Sequence, residues 1–96
     1  MREKRILVVD DQPHVNRILQ RSLIQRGYQV SAASNGEQAL ELLRTEVFDV
    51  VITDYQMPRM DGVALCEAFR AEKPDSDTLM ILSTAVADER LSEWAE

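Results

Sequence analysis

Four short apolar runs, at residues 5–9, 28–33, 48–54 and 79–82, divide the chain at nearly even intervals. Three of them, Ile6-Leu7-Val8-Val9, Val50-Val51-Ile52 and Leu79-Met80-Ile81-Leu82, are continuous rather than alternating, as expected for strands buried on both faces. Between the runs the apolar spacing changes to that of helices. Pro13 suits a first helical turn, with Asp11 or Gln12 near the cap. Val15, Ile18, Leu19, Ser22 and Leu23 then fall on one face, Ile24 falls opposite as a single exposed apolar residue, and Gly27 stops the helix. Ser34 and Glu37 stand at capping-box spacing before a stripe of Ala39, Leu40, Leu42 and Leu43. A third helix carries Leu65, Cys66 and Phe69 inward and ends near Lys73-Pro74, with residues 74–77 as a connector. Residues 88–96 read as the start of a short helix with Leu91 and Trp94 three apart. The order βαβαβαβα predicts one α/β domain, a doubly wound parallel sheet with right-handed crossovers and helices on both faces.

The ends of two strands carry the chemistry. The first run stops at Asp10-Asp11 and the third at Asp54, which a Pro- and Gly-marked loop follows. In open parallel sheets, ligands bind just outside the carboxyl ends of the strands. An isolated Asp there is more often a turn former. Two parallel strands ending alike would instead bring three carboxylates into one crevice, where each raises the pKa of the others. A divalent cation resolves that conflict, and an all-oxygen donor set points to Mg²⁺ or Mn²⁺ rather than Zn²⁺.

Composition narrows the alternatives. Ninety-six residues make one small domain, and a net charge of −6 with eleven scattered basic residues argues against a nucleic-acid surface within this chain. One cysteine excludes an internal disulfide, and Cys66 in an apolar helical pattern reads as a core thiol. The charged start, Met1-Arg2-Glu3-Lys4-Arg5, leads into too short an apolar run for a signal peptide or a membrane span, so the cytoplasm is the default compartment. His14, beside the crevice, has no Cys or His partner in sequence and reads as a surface residue rather than a metal ligand.

Taken together and in order, Asp10-Asp11, Asp54 with Met57-Pro58 and Met60-Asp61-Gly62, and Ser83-Thr84-Ala85 resemble the receiver domain of bacterial two-component response regulators. The resemblance runs over nearly the whole chain. It implies a flavodoxin-like sheet of order 2-1-3-4 and a phosphoacceptor, Asp54, that takes its phosphoryl group from a sensor histidine kinase. It further implies Mg²⁺ held by Asp10, Asp11, Asp54 and the backbone carbonyl of Gln56. Thr84 becomes the switch hydroxyl, and the Ala85 backbone a phosphoryl contact. Such a domain is a signalling module rather than an enzyme, with self-phosphorylation and autodephosphorylation at most. Gln56 and Val86, beside the pocket, are positions that tune how long the phosphoryl group survives.

The chain also departs from that pattern. Receivers of this kind close the site with a Lys on a fifth strand, which also carries an aromatic switch residue, and end in a fifth helix. Here the sequence stops about 20–25 residues short of those elements. Lys4 and Lys73 are the only lysines, and neither matches the Lys position. Residues 1–96 therefore read as a receiver cut before its fifth strand, a fragment of a longer response regulator. An uncovered fourth strand would then favour a homodimer or a domain-swapped assembly. Two other functions compete. One is a degenerate receiver serving as a phosphorylation-independent interaction module. The other is an Mg²⁺-dependent phosphatase or phosphotransferase with an aspartyl nucleophile, disfavoured because the first-strand acids are adjacent and no second domain closes over them.

Overall fold

The computed structural model describes residues 3–83. Its elements alternate as β1 (Arg5–Val9), α1 (Pro13–Gln25), β2 (Gln29–Ala33), α2 (Gly36–Thr45), β3 (Val50–Asp54), α3 (Gly62–Glu72) and β4 (Leu79–Ser83). The four strands pair in parallel in the order β2-β1-β3-β4. The sheet is the one that the sequence and the resemblance lead one to expect.

Register divides the sheet into two faces. Leu7 pairs with Val51 and Val9 with Thr53, so these side chains point the same way and meet Ala39, Leu40 and Leu43 of α2 and Leu65 and Phe69 of α3. Phe48 closes the base of this core, with the Arg5 guanidinium 4.9 Å from its ring centroid. The opposite face, with Ile6 and Val8, belongs to α1. At the lower edge the Arg5 backbone N–H donates to Asp49 Oδ2 (2.7 Å) and Lys73 Nζ donates to Leu43 O (2.9 Å), tying strand and helix ends together.

Three expectations need correction. The inward face of α1 is rotated from the predicted stripe: Ile18 is 64% exposed, Ser22 is exposed, and the buried residue of this helix is Asn16. Asn16 shares a helical face with Leu19 and Leu23, an apolar-phase position filled by an amide, and the apolar count passed over it. Ile24 is exposed as expected. The cap of α2 is Asn35 rather than Ser34: its Oδ1 accepts from Gln38 N (2.8 Å), while Gln38 Oε1 reaches back to Ser34 N (2.8 Å). The cap is shifted by one residue, because Asn35 holds the extended backbone that a cap needs, and the returning Gln38 side chain meets the N–H of the residue before the cap. Replacing Asn35 with Ala is expected to cost about 1 kcal/mol in urea unfolding, and Ser34→Ala clearly less; equal losses would return the cap to Ser34. Last, the continuous apolar pattern of β4 does not make it a strand buried on both faces; it lies uncovered at the edge of the sheet, as the resemblance leads one to expect. Leu79, Ile81 and Leu82 are exposed, because β4 has β3 as its one partner among the described residues. Thr84, Ala85, Val86 and the helix expected at residues 88–96 lie outside the described residues.

Candidate metal and phosphoryl site

The register that builds the sheet also builds the site. Val9 pairs with Thr53, so Asp10 and Asp54, one residue further along each strand, emerge side by side at the carboxyl end. Asp10, Asp11 and Asp54 each place a carboxylate oxygen within 4.8 Å of the others. Asp10 is 7% exposed, Asp54 partly buried and Asp11 exposed. Among the described residues no ion pair takes up any of the three. His14 is exposed and stands outside this cluster.

Two of the three acids are held in part by backbone. Gln12 N–H donates to Asp10 Oδ1 (2.9 Å), and Gln56 N–H donates to Asp54 Oδ1 (3.3 Å). Burial pushes the Asp54 carboxyl above its ordinary pKa. The bond from Gln56 acts against this, and the charges of Asp10 and Asp11 reinforce it. Folding therefore takes Asp54 from a lower to a higher pKa. Its charge costs the native state nothing below the unfolded value and the full amount once the pH has passed the raised folded value. Without divalent cations at neutral pH, Asp54→Asn is expected to raise the thermal midpoint by a few degrees, and the gain should shrink as the pH falls toward about 4. A midpoint in EDTA unchanged by the substitution at every pH would contradict this.

The loop after β3 is fixed at several points. Met57 is buried in the core, and Met60 packs against the core's edge. Arg59 takes a left-handed conformation (φ 71°), Asp61 Oδ1 caps α3 through Ala64 N (2.8 Å), and Gly62 N donates to Tyr55 O (3.1 Å). Gly62 comes so close to the strand end that a Cβ there would lie 2.5 Å from Asp54 O. The tandem Met-Pro and Met-Asp-Gly segments thus anchor the chain directly behind the acid. Reading them only as turn formers misses that both methionines point inward.

This chain matches the family model for the response regulator receiver domain over residues 6–95. It belongs to that family. The receiver is 41% identical over 87 residues to a probable transcriptional regulator, ycf27, of Cyanidium caldarium, an alignment covering 91% of this chain and 34% of the relative. The chain thus spans about a third of the length of the curated relatives it matches. Among solved structures it resembles the response regulator TrrA of Thermotoga maritima in complex with Mg²⁺-BeF, with TM-score 0.76, 36% identity and coverage of 96% of this chain and 80% of that one. It also resembles a structure of the histidine kinase ThkA in complex with TrrA (TM-score 0.75, 28% identity, coverage of 96% of this chain and 95% of that one).

The receiver's donor set fits a hard cation: three carboxylates, all oxygen, clustered and without a cationic side chain among the described residues. Neither lysine competes for the role. Lys73 spends its ammonium on the C-terminal carbonyls of α2, and Lys4 precedes β1 at the far end of the sheet. Cys66 is half-buried, and burial pushes its thiol pKa up, which suits a packed thiol better than a nucleophile. Among the described residues, no helix is long and apolar enough to cross a membrane.

Proposed function

We propose that this receiver accepts a phosphoryl group on Asp54 from a phosphohistidine of a sensor histidine kinase and passes the signal on through its surface. The observation that carries this reading is the meeting of Asp10, Asp11 and Asp54 at adjacent strand ends. An Asp54 carboxylate oxygen forms the new P–O bond as the P–N bond to the histidine breaks. The departing imidazole keeps the electron pair and is protonated from solvent. Asp10, Asp11, Asp54 and the Gln56 carbonyl would hold Mg²⁺, or Mn²⁺ in its place. When bound, the cation offsets the negative charge of the carboxylates and of the transferring group.

The chain's own residues do the positioning. Gln56 N–H orients the Asp54 carboxylate through Oδ1. Ser83 pairs with Asp54, and Thr84 and Ala85 follow it in sequence, which supports their assignment as the switch hydroxyl and the backbone contact. Self-phosphorylation from a small phosphodonor uses the same attack, with the donor's leaving group in place of histidine. The test is intact-mass analysis after incubation with acetyl phosphate, with and without Mg²⁺. One Mg²⁺-dependent adduct supports the reading. No adduct on a folded chain that binds Mg²⁺ would assign the protein to the phosphorylation-independent interaction modules.

A further inference from the structure

Asn16 is 6% exposed and sits on the inward face of α1. A buried amide is costly unless its donors and acceptor are paired, and this one is paired throughout. Its Nδ2 donates to Asp10 O (3.1 Å) and to Ala33 O (3.0 Å), and its Oδ1 accepts from Gln20 Nε2 (2.7 Å). Both neighbours on the Nδ2 side are carbonyl oxygens, so only the NH₂ end can face them. Ala33 O also accepts from Asp10 N–H (3.2 Å), and Gln12 N–H holds Asp10 Oδ1. Asp10 is thus fixed at its N–H, its carbonyl and one carboxylate oxygen. The ring of bonds that does this closes through the side chain of Asn16.

We infer that Asn16 is a positioning residue for the cation site, locking the ends of β1 and β2 so that Asp10 and Asp11 leave the sheet at the angle that brings them to Asp54. The inference rests on the proposed Mg²⁺ site, which it deepens. A residue there for packing alone could be Leu, which has the same branched outline and brings no amide to satisfy. Leu cannot donate to the two carbonyls. The turn from Val9 to Gln12 would then keep its backbone bond from Asn16 N–H to Gln12 O, with Ala33 O and the Asp10 carboxylate, but among the described residues nothing would hold Asp10 O.

The test is calorimetric Mg²⁺ titration of the full chain, with thermal unfolding in EDTA read on the same samples. Asn16→Leu is expected to stay folded in EDTA while its Mg²⁺ affinity falls about tenfold, as for the loss of other groups that orient metal ligands. Asn16→Ser, smaller and still polar, provides the same reading if the Leu variant does not fold. Leu43→Ala, remote from the site, should lower the thermal midpoint yet leave Mg²⁺ affinity unchanged. An affinity within twofold of wild type in a folded Asn16 variant would overturn the positioning role, as would an equal loss in Leu43→Ala. If the wild-type chain itself shows no Mg²⁺ binding, the cation site falls and the role of Asn16 falls with it.

Discussion

Asp54→Asn is expected to abolish the phosphoryl adduct that acetyl phosphate and Mg²⁺ are expected to give the wild-type chain. The substitution keeps the size and shape of the side chain, and its Oδ1 can still accept from Gln56 N–H. What it removes is the anionic oxygen that makes the bond to phosphorus, since an amide oxygen is a far weaker nucleophile at neutral pH. The loss should therefore be complete within detection. Asp11→Asn provides the contrast, because it leaves the nucleophile and removes only a charge that helps hold the cation. Adduct should still form, but slower by about 10²-fold, the usual scale for one lost electrostatic partner of a transition state. Tandem mass spectrometry of the wild-type adduct should place the group on Asp54. An adduct that persisted in Asp54→Asn would move the phosphoacceptor to another acid and detach the three-carboxylate cluster from the chemistry.

Much of this site could be read from the residues because it is made by strand ends, and strand ends are marked by strong local signals. The runs ending at Asp10 and Asp54 are continuous and apolar, parallel strands follow from the helices between them, and the order that sets β1 beside β3, and so the acids together, comes from the resemblance. What the pattern could not show was which partner each polar group would find. Asn16 looks like an ordinary surface amide until the register brings Ala33 O beside Asp10 O and gives both carbonyls one donor. The rotation of α1 has the same origin. Val15, Leu19 and Leu23 fit either setting of the helix, and the amide satisfied between two strands decides which face turns inward. The cap shifted from Ser34 to Asn35 is a smaller case of two neighbouring polar residues competing for one terminus, with backbone conformation choosing between them. The exposure of β4 is not written in its own pattern, since Leu79 and Ile81 are as apolar as the residues of β1; it was expected only through the sheet order that the resemblance implies, which leaves the fourth strand at the edge.

Gly62→Ala is expected to destabilise the fold and slow phosphorylation together, and the sign is informative because helix propensity alone predicts the reverse. Gly62 is the first residue of α3, where Ala is intrinsically the better helix former by up to about 1 kcal/mol. The added methyl, however, would lie 2.5 Å from Asp54 O and 2.7 Å from Leu82 Cδ2. The leucine end can turn away, but the carbonyl belongs to the strand and cannot move without moving Asp54. The N–H of Gly62 is also bound to Tyr55 O, so the helix start cannot retreat without breaking that bond. Overpacking of this kind costs about 1–3 kcal/mol, and a net loss of about 2 kcal/mol is expected in urea unfolding. Because the strain falls on the backbone of Asp54, the proposed phosphoacceptor, adduct formation should slow even at temperatures where the variant is fully folded. Gly27→Ala isolates the first effect, the loss of stability. Gly27 has φ 93° and open space around it, so that substitution should cost stability through backbone strain alone and leave the rate of phosphorylation unchanged. If Gly62→Ala unfolded at or above the wild-type urea midpoint and accepted phosphate at the wild-type rate, the close approach of α3 to the end of β3 would have no part in holding Asp54 in place.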